Sequence, residues 1–175
     1  MIRRFCRLGR DRAGTAAIEF AIVLPVILLL ALVALETTLA VMAGMFLTNA
    51  AESVANIVAQ QNSANWSVSN VCTAGQMSMT PLSGTPIKVA IASVTNQGGA
   101  GASVDWQDTS CGNAASISNA ASLAAGLIPD SGDSVIVVQA TYTYTPPIQY
   151  ILTSAINMTQ TSYQRPRNGS SVPAP

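Results

Sequence analysis

The chain contains no histidine, and only 9% of its 175 residues are charged. The lack of histidine excludes the common histidine-dependent hydrolase sites and histidine-ligated metal sites. The sequence also lacks the paired-cysteine spacing of zinc sites and a glycine-rich loop followed by Lys-Ser or Lys-Thr. We therefore predict a protein that is not an enzyme, with no cofactor, no bound metal and no small-molecule substrate.

The low charge content also favours a membrane protein, because soluble globular domains carry about 25% charged residues. Basic residues are concentrated at the N-terminus, where five of the eight precede residue 13: Arg3, Arg4, Arg7, Arg10 and Arg12. From Thr15 onward three basic residues face seven acidic ones. Nucleic acid is therefore not predicted as a partner, since binding phosphates requires clustered Lys and Arg.

Residues 16–35 form an apolar run whose only charged residue is Glu19. A helix of this length covers the ~30 Å hydrocarbon core of a bilayer. The arginines before the run and Glu36 after it predict a cytoplasmic N-terminus by the positive-inside rule, with the rest of the chain outside. A cleavable secretory signal ending at Val41-Met42-Ala43 is the alternative, although the apolar cores of such signals usually have about 7 to 15 residues.

Helix-forming residues continue beyond the apolar run, through residues 37–61. We therefore predict one helix over residues 15–61, about half of which projects from the membrane. Small residues recur at spacings of three and four on one helix face: Ala40, Gly44, Thr48, Ala51, Ala55 and Ala59. Either a partner helix packs closely against this face, or the helix lies on its own domain.

The segment from Gly14 to Phe20 reads Gly-Thr-Ala-Ala-Ile-Glu-Phe and lies where the basic N-terminus meets the apolar run. It resembles a type IV prepilin processing site. More specifically, residues 12–25, Arg-Ala-Gly-Thr-Ala-Ala-Ile-Glu-Phe-Ala-Ile-Val-Leu-Pro, resemble the signature of the TadE-like family, pseudopilins of the Tad (Flp) type IVb pilus apparatus. The strong likeness extends from residue 12 to about residue 55.

This resemblance implies that a prepilin peptidase cuts after Gly14, which makes Thr15 the first residue and Glu19 the fifth residue of the mature chain. It implies the bacterial inner membrane as the location, a periplasmic C-terminal domain, and other Tad pilins or pseudopilins and assembly-platform proteins as partners. Glu19 would then pair with the new amino group of Thr15 in the same or a neighbouring subunit. Alternatively, Glu19 lies shallow enough to reach cytoplasmic water or Arg12. The family also contains uncleaved membrane anchors, so processing itself stays open.

After Asn62 the sequence becomes rich in Ser, Thr, Asn, Gly and Pro, with short alternating apolar runs typical of β-strands. We predict strands over residues 88–95, 103–106, 134–145 and 156–163, a short helix over 117–127, and a flexible tail over 165–175.

Cys72 and Cys111 both lie outside the membrane in this topology, where a disulfide between them is expected. Two independent buried thiols are the alternative. Cys6 is predicted to be cytoplasmic and reduced.

Two pairs of acidic residues, Asp105 with Asp108 and Asp130 with Asp133, could serve as calcium ligands or as the acid pair of an envelope hydrolase. Their Gly, Ser and Pro neighbours favour solvated turns instead. Trp66 and Trp106 could form a binding surface, although we expect one in the core and the other near the junction of helix and domain.

Together these features predict an α+β, pilin-like fold. A basic leader over residues 1–14 precedes the long transmembrane helix over 15–61, and a small disulfide-bearing antiparallel β-rich domain follows over 62–164. The predicted function is that of a minor pilin-like component, or pseudopilin, in pilus assembly or initiation. The alternatives are an uncleaved single-span scaffold of the Tad secretion machinery and a protein released by signal peptidase.

Overall fold

The computed structural model describes residues 13–62, 66–83 and 87–175. Its α-helices and strands in chain order are α1 (Ala13–Ala59), α2 (Val68–Met77), β1 (Ile87–Asn96), β2 (Ala102–Cys111), α3 (Ala120–Ala124), β3 (Ser134–Tyr144) and β4 (Ile156–Gln164), with a 3₁₀ turn (Gly98–Ala100) between β1 and β2. The long N-terminal helix, the small antiparallel sheet and the disulfide confirm the predicted α+β fold class. Of the predicted basic leader, residues 1–14, all but residues 13 and 14 lie outside the described residues.

The four strands form one sheet in the order β2-β1-β3-β4, and every neighbouring pair is antiparallel. Three strands begin and end within one residue of their predicted limits. The exception is β2, which has ten residues instead of the predicted four. The β2 sequence is mostly polar: Ala-Ser-Val-Asp-Trp-Gln-Asp-Thr-Ser-Cys. An edge strand with partly solvated faces does not require alternating apolar residues, so the pattern used to predict strands is weak here.

Side chains alternate between the two faces of the sheet, as the two-residue period of a strand requires. In β3, Ile136, Val138 and Ala140 belong to the larger core, which includes the buried side of α1. Val135 and Val137 belong to a smaller core on the opposite face, covered by α3 and the segment around it. The sheet is therefore enclosed on both faces, with its larger core under α1 and α2.

Helix α1 has two halves in different surroundings. From residue 14 to residue 35 nearly every side chain is exposed, including the large apolar ones. From Ala43 onward one side is buried against the sheet, with Leu47, Val54 and Val58 fully enclosed. Pro25 lies inside the exposed half without ending the helix, which is tolerated in membrane helices. One continuous helix therefore supplies both an unpacked apolar rod and part of the domain core.

Helix α2 was not predicted from the sequence. It begins after Ser67, whose hydroxyl oxygen accepts a hydrogen bond from the backbone N–H of Asn70. This is the preferred role of serine at a helix N-terminus. Gly75 faces α1, where an added Cβ would lie 3.0 Å from Cγ2 of Val54. The two helices thus approach closely because residue 75 has no side chain.

Residues 165–175 were predicted to form a flexible tail, but in the structure they lie against the domain. The backbone N–H of Arg167 donates to the carbonyl oxygen of Ala59 at 2.8 Å, and the Asn168 side chain donates to the carbonyl oxygen of Gln60 at 2.8 Å. Val172 is buried. These bonds cap the C-terminus of α1, whose last carbonyls have no partner within the helix.

Candidate functional site

Glu36 is the first residue after the apolar run and is only 1% exposed. Its carboxylate accepts three backbone hydrogen bonds from the loop between β3 and β4: from Tyr150 at 2.8 Å, Ile151 at 3.0 Å and Leu152 at 3.1 Å. Three consecutive N–H groups pointing at one carboxylate form an anion-binding concavity. Glu36 therefore fixes this loop, residues 145–155, to α1 at the point where the exposed half of the helix ends.

The hydrogen bonds around Glu36 stabilise its charged form. The Tyr150 N–H does most to lower the pKa of Glu36 below its ordinary value, with help from Leu152 and Ile151, while burial acts in the opposite direction. Burial, and to a lesser extent the negative charge of Glu36, raises the pKa of the nearby Tyr144 hydroxyl. Glu36 is thus held as a carboxylate, as a buried acceptor of three N–H bonds should be.

Gly14, Thr15 and Glu19 all lie in the first turns of α1, on its exposed half. Thr15 and Glu19 are four residues apart and therefore share one helix face. A Cβ added to Gly14 would meet no atom within 4 Å. The predicted processing and assembly residues are thus accessible, whereas Arg12, the alternative partner of Glu19, lies outside the described residues.

The six small residues of α1 do not share one environment. Ala51, Ala55 and Ala59 are buried against the helix's own domain. Ala40, Gly44 and Thr48 are half-buried, and Thr48 donates a hydrogen bond to the carbonyl oxygen of Gly44 at 3.1 Å. Ala51, Ala55 and Ala59 therefore pack on the chain's own domain, which is the second of the two alternatives that the sequence left open. Only Ala40, Gly44 and Thr48 have surface left for another helix.

The cysteines expected to pair do form a disulfide. Cys72 in α2 and Cys111 at the end of β2 are joined, with their Cα atoms 5.6 Å apart. The rings of Trp66 and Trp106 pack against each other with centroids 5.8 Å apart. Both indole N–H groups donate to tail carbonyls, Trp66 to Pro173 at 3.0 Å and Trp106 to Val172 at 2.8 Å. The two tryptophans therefore hold the C-terminal tail and do not form an open binding surface.

The four aspartates proposed as acid pairs have structural partners or lie on the surface. Asp105 accepts hydrogen bonds from Thr95 at 2.5 Å and Ser93 at 3.3 Å. Asp108 accepts from Ser110, and Asp133 pairs with Arg165 at 3.4 Å. Asp105 and Asp108 lie within β2, not in the turns suggested by their neighbours. Within residues 13–62, 66–83 and 87–175, no group of three or more Cys, Asp or Glu residues could hold a metal ion.

The exposed half of α1 is long and apolar enough to cross a membrane. A family model described as TadE-like protein matches residues 14–56, about a quarter of the chain. No curated protein and no solved structure matches the chain. The matched segment includes Gly14, Glu19 and Glu36. The match confirms the resemblance to the TadE-like family that the sequence shows. Residues 14–56 are therefore similar to the TadE-like family, and this match supports a component associated with the Tad pilus.

Proposed function

We propose that this chain is a minor pilin-like subunit that is processed after Gly14, rests in the inner membrane through α1 and takes part in assembly or initiation of a Tad-type pilus. The observation that carries the proposal is the position of the TadE-like match. It begins at Gly14, covers the whole exposed apolar half of α1 and ends inside the helix that forms the domain core. The matched segment thus combines a membrane anchor with the attachment of the domain.

The charge distribution supports the proposed orientation. Five arginines precede the apolar half of α1, and Glu36 follows it. This asymmetry favours a cytoplasmic N-terminus and a periplasmic sheet. The disulfide supports the same orientation, because disulfides persist on the oxidising side of the membrane. An uninterrupted helix through residues 41–43, with Ala43 buried, gives no support to release by signal peptidase at that position.

Processing is tested by the intact mass and N-terminal sequence of the protein from native membranes, with and without the prepilin peptidase. We expect the chain to begin at Thr15 only when the peptidase is present. The variant Gly14→Val should keep its N-terminus, whereas the matched control Gly44→Val should be processed, since Gly44 is also a helical glycine with no atom within 4 Å of an added Cβ. A chain that starts at Met1 in every sample would instead favour the uncleaved scaffold.

Glu19 is proposed to set the register of the subunit during assembly. It is the only charged residue of the apolar run, and an ionised carboxylate in a membrane helix costs about 2 to 3 kcal/mol at the bilayer centre and less near the interface, toward which Glu19 lies. Pairing with the amino group of Thr15 in a neighbouring subunit would remove most of that penalty. The pairing would also favour assembly in one axial position.

We expect Glu19→Ala to leave the protein in the membrane and to reduce pilus number severely. The measurement is a count of pili per cell by electron microscopy, with a membrane-fraction immunoblot to show equal amounts of protein. Glu52→Ala is the matched control, because Glu52 is an exposed glutamate farther along the same helix. Normal piliation in the Glu19→Ala strain would remove this residue from the assembly mechanism.

A further inference from the structure

We propose that the loop of residues 145–155 is a second membrane contact, with Ile148, Tyr150 and Ile151 inserted into the boundary between headgroups and acyl chains where α1 leaves the bilayer. This inference rests on the proposed single-span topology. It adds a function to a part of the chain that lies far beyond the TadE-like match, which ends at residue 56.

The loop presents three large apolar side chains at its surface. Ile148, Tyr150 and Ile151 are 41%, 58% and 47% exposed, and they lie within four residues of one another. The loop sequence, Thr-Pro-Pro-Ile-Gln-Tyr-Ile-Leu-Thr-Ser-Ala, contains no charged residue. Grouped exposed apolar side chains mark a surface that contacts something other than water.

The position of the loop identifies the membrane as that partner. Glu36 binds the backbone of Tyr150, Ile151 and Leu152, and Glu36 directly follows the apolar run that ends at Leu35. One residue of helix corresponds to about 1.5 Å along the axis. The apolar loop is therefore held at the level where the apolar half of α1 ends, in continuity with the surface that would contact lipid.

The hydrogen bonding of the loop suits entry into a region of low polarity. Backbone N–H groups that leave water need other acceptors, which limits the irregular loops that can enter a membrane. The Glu36 carboxylate supplies acceptors for the N–H groups of all three residues from 150 to 152. Tyr150 has an apolar ring and a polar hydroxyl, the combination that is enriched at membrane interfaces.

Apolar surface continues behind the loop. A groove of 380 Å³ lies between α1 and the end of β3, and its lining includes Leu39, Tyr142, Tyr144 and Pro147. Leu39 is one turn beyond Glu36 on α1, and Pro147 belongs to the loop. The groove and the loop thus form one apolar end of the domain, directed toward the exposed half of α1.

The test places an environment-sensitive fluorophore at single cysteines of the full-length protein with Cys6→Ser, in which Cys72 and Cys111 remain joined. Ile148→Cys reports the loop. Leu127→Cys is the matched control, because Leu127 is also 41% exposed. It lies at the opposite end of the sheet, where its carbonyl oxygen accepts from Arg165 just after β4. Leu30→Cys reports whether α1 itself is in the bilayer.

The labelled proteins are reconstituted in phosphatidylethanolamine and phosphatidylglycerol bilayers that carry brominated acyl chains as quenchers. We expect the labels at positions 30 and 148 to lose most of their emission, and the label at 127 to keep it. In the Ile148→Cys protein, an additional Glu36→Gln change should restore much of the emission, because the loop is then no longer held by Glu36 at the surface of the bilayer.

Quenching at position 30 with equal, weak quenching at 148 and 127 would overturn the loop contact and leave the membrane anchor intact. No quenching at position 30 would instead contradict the single-span topology. A blue-shifted label at 148 that lipid does not quench, and that depends on protein density, would identify a second copy of the chain as the partner and would also overturn the proposal.

Discussion

Removing the disulfide by Cys72→Ser together with Cys111→Ser is expected to lower the free energy of unfolding of the domain by about 4 kcal/mol, the chain-entropy contribution of a loop of this size. The two cysteines are 39 residues apart in the sequence. The bridge also joins α2 to the edge strand β2, whose surface is largely polar. Without it, α2 would be held mainly by its contact with α1 around Gly75 and Val54.

The measurement is urea unfolding of the full chain in mild detergent, followed by tryptophan fluorescence. Trp66 and Trp106 are suitable reporters because both contact each other and bond to the tail. Reduction of the wild-type protein should produce the same loss of stability as the double substitution. Cys6→Ser serves as the control and should unfold like wild type. Equal stability of the reduced and oxidised proteins would contradict this role of the bridge.

Glu36→Gln is expected to release residues 145–155 from α1. The amide cannot accept three N–H bonds as a carboxylate does, because one of its two terminal atoms is itself a donor. Hydrogen exchange should therefore accelerate at the amides of Tyr150, Ile151 and Leu152, which bond to Glu36 in the structure. Glu52→Gln, a change at an exposed glutamate of the same helix, should leave exchange in the loop unchanged.

The stability contributed by Glu36 should depend on pH in a defined direction. Its pKa is lowered in the folded protein, chiefly by the Tyr150 N–H, so the unfolded chain takes up the proton first. The contribution is therefore fully present above the pKa of the unfolded glutamate and is lost as the pH falls through the lower pKa of the folded protein. The difference in unfolding free energy between wild type and Glu36→Gln should shrink only in that acidic range. A difference that grows on acidification would contradict the assignment.

The sequence predicts those parts of the fold in which nearby residues carry the signal. The unbroken apolar run and the alanine-rich segment after it predict α1, and the alternating apolar residues of β3 predict the central strand. The disulfide is predictable because only two of the three cysteines follow the apolar run. In each case the pattern lies within one element or follows from the predicted topology.

The features that sequence analysis missed depend on distant partners. Helix α2 is a short segment of mostly small and polar residues, and its close packing on α1 through Gly75 is visible only once both helices are in place. The sequence of the tail does not reveal its contacts, because its hydrogen-bond partners, Gln60, Trp66 and Trp106, lie far away in the chain. Glu36 was interpreted only as an acidic flank of the apolar run. Its hydrogen-bond partners follow 114 to 116 residues later.

The continuity of α1 has a mechanical consequence. Its exposed half and its buried half are a single helix, with no linker at which one could move independently of the other. An axial force on the apolar half is thus transmitted directly to the sheet, because the two halves move as one rigid helix. In the proposed single-span topology, a displacement by one helical turn, about 5.4 Å, would carry the domain and its Glu36-bound loop the same distance relative to the bilayer.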